Sequence, residues 1–91
     1  MLEGFTPWPA ELATRCRERG YWRDQPLGDI VDRGARAFGE RVALTSSTRR
    51  ISYRDLKRIV DRLALHLLGL GLRPGDCVVV HLNNTPEFVY V

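Results

Sequence analysis

Apolar residues recur at two different spacings along this chain, and the changes of spacing mark out its elements. In ISYRDLKRIVDRLALHLLGLGLRPGD, Leu56, Ile59, Val60, Leu63 and Leu67 stay on one face of a 3.6-residue period, which predicts a long amphipathic helix. Its start is over-specified. Ser52 is placed to cap, Asp55 three residues on can reach back as the acidic member of a capping box, and Ile51 can pack on Leu56 as a hydrophobic staple. The helix ends at Gly69 or Gly71, either of which accepts left-handed backbone, with Leu72 folding back and Pro74 forbidding continuation. Pro74 and Gly75 suit the two central positions of a type II turn.

Upstream, TPWPAELATRCRERG has Pro9 near a helix start, Glu11 in the first turn, late arginines and Gly20 as a stop, and YWRDQP follows as a loop. Leu27, Ile30, Val31, Ala35 and Phe38 predict a second helix over 27–38, with Gly34 as its weak point. RVALTSSTRRIS reads as two short strands joined by a polar turn. CVVVHL is apolar at nearly every position, which predicts a strand buried on both faces, as in a parallel sheet. Strand, helix and strand at this spacing predict a right-handed β-α-β crossover, so the expected class is α/β. Its sheet should be incomplete, because a doubly buried strand needs a neighbour on each edge and helices on both faces, and 91 residues supply too few. In the closing NNTPEFVYV, Thr85, Pro86 and Glu87 suit a helix start and Phe88, Val89 and Val91 begin an apolar face. So short a helix does not offset its own nucleation, and the expectation is a truncated piece of a longer protein.

With 44% hydrophobic and 27% charged residues, the chain reads as a single soluble globular unit with a small core. Net charge is +3 and the pI about 9.3, yet RCRERGYWRD and YRDLKRIVDR interleave arginine with acid. That mixing describes solvated helix faces, whereas a nucleic-acid footprint gathers its cations in one patch. No nucleic-acid partner is expected. Cys16 and Cys77 have no C-x-x-C partner, so buried thiols in a reducing compartment are the expectation. MLEGFTPWPAEL lacks the basic flank and apolar run of a secretory leader, and no stretch approaches the ~20 apolar residues that span a bilayer. The expected location is cytoplasmic, with no membrane partner.

Few residues offer chemistry. TSSTRR has hydroxyls and arginines suited to phosphate oxygens, but it lacks glycines and opens no helix, so a hairpin turn is the better reading. His66 lies beside the apolar face of the long helix and His81 within VVVHL; neither has a placed nucleophile or carboxylate, and each is read as a boundary or core histidine. Asn83 and Asn84 follow a strand at the mouth of a helix, where open parallel sheets gather ligands, although turning the chain is the simpler role for them. Trp8, Tyr21 and Trp22 should pack the first helix onto the body, and Lys57, the sole lysine, reads as an ordinary surface residue.

ISYRDL resembles the T/S-Y-x-E-L motif of the adenylate-forming superfamily of acyl and aryl CoA ligases, luciferases and peptide-synthetase adenylation domains. GLGLRPGDCVVVHLNNTPEF is similar to the segment that follows it there, with Gly71, Pro74, Gly75, Asp76, Asn83 and Glu87 at matching places. Together with the hairpin, the resemblance covers about Arg41 to Val91. FTPWPAELATRCRERGYW also resembles the N-terminal signature of the aryl acid AMP ligases of siderophore biosynthesis, through Phe5, Trp8, Pro9, Glu11, Arg17, Gly20, Tyr21 and Trp22. Cys16 stands where that subgroup carries an aromatic residue, and Asp55 replaces the usual Glu.

The resemblance implies an N-terminal scaffold portion of the large AMP-binding domain, with 1–40 as a helical segment and 41–91 as the start of the domain proper. The whole enzyme would use ATP and Mg2+ to activate 2,3-dihydroxybenzoate or salicylate as an aryl adenylate, then load the aryl group on the phosphopantetheine thiol of an aryl carrier protein. The family's phosphate loop, aryl pocket and C-terminal lysine would all lie beyond Val91. No residue of this chain is therefore expected to be catalytic, cofactor-binding or metal-binding, and its expected partner is the remainder of its own polypeptide. Two alternatives stand beside this: another adenylate-forming ligase, either an acyl-CoA synthetase or an amino acid adenylation domain, and a stand-alone non-catalytic binding module.

Overall fold

A computed structural model describes residues 3–91, so the first two positions of the leader reading lie outside the described residues. The elements run α1 (Ala10–Glu18), α2 (Gly28–Phe38), β1 (Val42–Thr45), β2 (Arg50–Ser52), α3 (Tyr53–Gly69) and α4 (Pro86–Tyr90).

The start of α3 is tied down more firmly than any other point. The first three backbone N–H groups of a helix have no intrahelical acceptor. Here Tyr53 N donates to Arg41 O at 3.0 Å, Arg54 N to Gly39 O at 3.0 Å, and Asp55 N to the Ser52 hydroxyl at 3.1 Å. The expected Ser52 cap therefore forms. The Asp55 carboxylate instead lies 3.5 Å from Arg58, leaving the reciprocal half of the capping box unmade. Ile51 and Leu56, the two staple positions, are the only buried hydrophobic residues among those described.

Both long-helix ends predicted from glycine close with the same backbone motif. After α1, Gly20 (φ 72°) donates to Arg17 O and Tyr21 N to Cys16 O; after α3, Gly71 (φ 95°) donates to Leu68 O and Leu72 N to Leu67 O. Each is a Schellman closure, which settles the α3 stop in favour of Gly71. Asp76 N then donates to Arg73 O across Pro74 and Gly75, with Gly75 at φ 93°, as a type II turn requires.

The hairpin forms as an antiparallel pair, Val42 opposite Ser52, Leu44 opposite Ile51 and Thr45 opposite Arg50, with an irregularity between Val42 and Leu44. The sheet among the described residues has these two strands and no more. The predicted strand at CVVVHL therefore does not form as such: no backbone hydrogen bond joins Cys77–Leu82 to another described residue, and the β-α-β crossover is not closed. The reason is physical. A strand is defined by its ladder, and no described strand lies hydrogen-bonded along either edge of Cys77–Leu82. The hairpin, the four helices and an incomplete sheet agree with the sequence reading; the crossover does not.

Gly34, read as a weak point of α2, is where α2 meets α3. A Cβ there would lie 2.5 Å from Tyr53 Cδ1 and 2.7 Å from Cε1, so the Tyr53 ring occupies the space a side chain would need. The ring also packs against Phe38, centroids 6.3 Å apart. By contrast, α1 folds back on its own loop. Trp8 meets Trp22 at 6.2 Å, and the Arg17 guanidinium lies 5.8 Å from the Trp22 ring centre. Trp8 and Tyr21 stay mostly exposed, so the expected packing of α1 onto the body through its aromatics is not seen.

Two substitutions probe these joints through urea unfolding followed by far-ultraviolet circular dichroism. Replacing Ser52 by Ala should cost about 1 kcal/mol, while Ser52→Asp should keep most of the stability. Gly34→Ala would gain up to ~1 kcal/mol from helix propensity alone, but the Tyr53 clash should reverse the sign to a loss of about 1–3 kcal/mol. In a Tyr53→Ala background the same change should be neutral or stabilising. A stabilising Gly34→Ala in the unaltered chain would refute the close contact.

Candidate functional site

Three ion pairs join separate elements: Arg54 on α3 meets Glu40 in the connection after α2, and two others span longer stretches of chain. Lys57 on α3 lies 2.8 Å from Asp32 on α2 and 2.7 Å from Asp61 one turn along α3. The sole lysine is thus a clamp between helices and not the ordinary surface residue the charge pattern predicts. Arg49, in the hairpin turn, reaches across to Glu87 in the first turn of α4 at 2.6 Å. Sequence reading missed this pair because 38 residues separate its members and no local spacing relates them.

Between that turn and α4 lies an open cleft of about 420 Å3, with Leu44, Ser46, Thr48, Arg49, Asn84 and Pro86 in its walls. Several of its polar groups are committed to the turn itself. Arg49 N donates to the Ser46 hydroxyl at 3.0 Å, Thr48 N to the same oxygen at 3.4 Å, and Ser46 N to Arg49 O at 2.8 Å. The turn therefore spends the N–H groups of Ser46, Thr48 and Arg49 on itself and pairs the Arg49 guanidinium with Glu87, so these donors do not converge on a common point outside the turn. TSSTRR is a hairpin turn, as its missing glycines predict.

The remaining candidates do not converge. Asn83 accepts from Thr85 N through its carbonyl at 2.8 Å, turning the chain into α4. The Thr85 hydroxyl approaches the same carbonyl at 3.5 Å and makes no helix cap, contrary to expectation. His66 and His81 are both exposed, so neither is a core histidine. Cys77 is exposed and Cys16 half-buried, so the expected burial of the thiols is not met among the described residues. A second open cleft of about 430 Å3 has Tyr21, Trp22, Pro26, Leu27, Ile30 and Arg33 in its walls, and its one carboxylate, Asp24, is paired with Arg17 at 2.8 Å.

The clamps perturb their own ionisation. The hydrogen bond from Lys57 holds the Asp32 carboxyl below its ordinary value, and Asp32 in turn raises Lys57; Arg49 likewise lowers Glu87 and is itself raised. A depressed carboxyl stabilises the folded form above its unfolded pKa and loses that contribution as pH falls through the folded value. Lys57 works in the opposite sense, contributing below its unfolded value of about 10.4 and losing it as pH rises through the raised folded one. Both clamps should thus hold through neutral pH and loosen below about pH 4. Carbon-detected titration of the carboxyls should give midpoints below the ordinary aspartate value for Asp32 and below the ordinary glutamate value for Glu87. Midpoints at or above those references would remove the clamps from the solution structure.

Comparison with known proteins places this geometry. Triostin synthetase I from Streptomyces triostinicus is 52% identical over 89 residues, covering 98% of this chain and 17% of that protein. The 2,3-dihydroxybenzoate-AMP ligase of Bacillus subtilis strain 168 is 44% identical over 91 residues, 100% of this chain and 17% of its own. Among solved structures, the apo structure of Mycobacterium smegmatis MbtA matches with a TM-score of 0.90 and 46% identity, covering 96% of this chain and 16% of that one. The chain thus spans about a sixth of the length of these relatives. The family model described as "AMP-binding enzyme" matches residues 31–91, from within α2 through the hairpin, α3 and α4. By that match over most of its length, the chain belongs to the AMP-binding enzyme family.

Proposed function

We propose that this chain is the N-terminal scaffold of a carboxylate-AMP ligase that activates an aryl acid, 2,3-dihydroxybenzoate or salicylate, with ATP for siderophore biosynthesis. The observation that carries the reading is identity across the whole chain to a 2,3-dihydroxybenzoate-AMP ligase, including residues 1–30 that the general family model does not reach. Those residues hold the aromatic and arginine signature at Phe5, Trp8, Arg17, Tyr21 and Trp22. A fatty acyl or amino acid ligase would be expected to share 31–91 without it, and is the less favoured reading. A stand-alone module is less favoured too, since it should hide its apolar faces.

Carboxylate attack on the α-phosphorus requires cations and backbone donors aligned on the phosphates. The proposed role of this chain is positioning, which the internal bonds of its hydroxyl-rich turn at Ser46 support. Among the described residues, no three His, Cys, Asp or Glu side chains converge to hold a metal ion. No step through magnesium is assigned to the residues present. Within the proposal, 1–40 is the helical segment and 41–91 opens the large domain. The further polypeptide supplies the nucleotide and aryl pockets, and a phosphopantetheine carrier protein receives the aryl group. No helix among the described residues is long and apolar enough to cross a membrane, and the proposed location is the cytoplasm.

The test is the polypeptide made in the native cell, isolated through the peptide containing ISYRDL. Its intact mass should correspond to several hundred residues. It should catalyse pyrophosphate exchange with ATP that depends on 2,3-dihydroxybenzoate or salicylate, whereas the purified 91-residue chain should show none. Exchange driven only by fatty acids or amino acids would overturn the substrate class, and a native mass near 10.4 kDa would overturn the enzyme.

A further inference from the structure

Lys57 carries the only side-chain amine of the chain, and its two acceptors sit on different helices. Nζ lies 2.8 Å from Asp32 Oδ1 on α2 and 2.7 Å from Asp61 Oδ2 on α3, so two carboxylates face each other across a single ammonium group. The site is not sealed, because the lysine side chain is 38% exposed and those of Asp32 and Asp61 more so. The other strong bases of α2 and α3 are Arg33, Arg36, Arg54, Arg58 and Arg62, whose guanidiniums do not lose a proton in proteins. Lys57 is therefore the one group of this helix pair that can become a free amine, the form with a lone pair to attack an acyl carbon. Its partners oppose that change. The hydrogen bonds that it donates to Asp32 and to Asp61 hold its pKa above the ordinary lysine value.

We propose that Lys57 is a gated site of N-acylation by an acyl adenylate, shut while the clamp joins α2 to α3 and open when Asp32 moves away with α2; the choice of reagent rests on the proposed reading of the chain as part of an aryl acid ligase. In the open form the lone pair of the free Nζ attacks the carbonyl carbon of the mixed anhydride. A C–N bond forms, the bond from that carbon to the phosphate oxygen breaks, AMP departs with the electron pair, and the proton of the amine passes to water. The geometry allows the opening. Exposed ion pairs hold weakly, so the clamp can part without unfolding the chain. Arg36, close enough to lower Asp32 by its charge, is a second cation beside the lysine and suits the anionic phosphate of the reagent. The product then resists reclosure. An amide has one N–H where the ammonium has three donors, so it cannot hold both carboxylates, and Asp32 and Asp61 are left as facing like charges. Acylation thus loosens the α2–α3 joint that Lys57 otherwise fastens.

Synthetic benzoyl adenylate is the probe, added to the 91-residue chain at neutral pH. Acylation of Lys57 is read by peptide mass spectrometry against N-α-acetyl-lysine in the same solution. Lys57 should react severalfold more slowly than the free amino acid. The double variant Asp32→Asn with Asp61→Asn keeps the shapes and removes both charges, and it should raise the Lys57 rate by about 3-fold or more. Glu40→Gln, at the Arg54 pair, should leave the rate unchanged. A second measurement needs no variant: in the unmutated chain, benzoylation of Lys57 should speed amide hydrogen exchange in α2 and leave α1 as it was. Lys57 reacting as fast as the free amino acid, a double variant no faster than the unmutated chain, or α2 exchange unmoved by acylation each overturns the proposal. Because the reagent is synthetic, the outcome is separable from the native function. A native polypeptide inactive on aryl acids leaves the gate standing, and an active one does not rescue an ungated lysine.

Discussion

The fold hangs on the first turn of α3. Three orphan N–H donors arrive there at once, and the chain answers each from a different place: Arg41 O, Gly39 O and the Ser52 hydroxyl. Because two of those acceptors lie in the connection between α2 and β1, capping the helix also fixes α2 and the hairpin against it. Ile51 and Leu56 bracket the cap and are the only well-buried apolar pair among the described residues. The hydrophobic effect and the backbone accounting of a helix end therefore act at the same place.

From that junction the rest follows in order of distance. The Tyr53 ring, carried on the first residue of α3, settles against Gly34 and sets how closely α2 can approach. Lys57, one turn further on, ties Asp32 to the same helix. Arg49 at the hairpin tip holds Glu87 on α4 and bridges the long excursion through Cys77–Leu82. The N-terminal arm belongs to a separate arrangement. A Schellman closure at Gly20, the Trp8 and Trp22 contact and the Arg17–Asp24 pair at 2.8 Å bind α1 to its own loop. That arm lies outside the general family match and inside the match to the aryl acid ligase.

The candidate site is notable for what its geometry uses up. A turn rich in serine, threonine and arginine has the composition of a phosphate grip, yet its donors close on Ser46 and its arginine on a carboxylate. Composition alone does not distinguish donors that face a ligand from donors that face each other. The distinction lies in backbone conformation, and the absent glycines were the one sequence signal of it. Lys57 and Arg49 show the converse case, since their partners are set by tertiary proximity that no local motif encodes.

By itself the sequence determined whatever a short run of residues can decide. It set the period of α3, the staple at Ile51 and Leu56, the stop at Gly20, the turn at Pro74 and Gly75, and the hairpin around TSSTRR. These rest on steric limits and hydrogen bonds within a few positions of each other. It also encoded a strand at CVVVHL, because apolar residues on both faces carry that meaning wherever they occur. Only the tertiary structure decided that the strand has no ladder here, that Gly34 is a contact and not a flaw, and that α1 packs on its loop. Each of those outcomes depends on which surfaces meet. A strand in particular is completed by a neighbour, and its own residues cannot supply one.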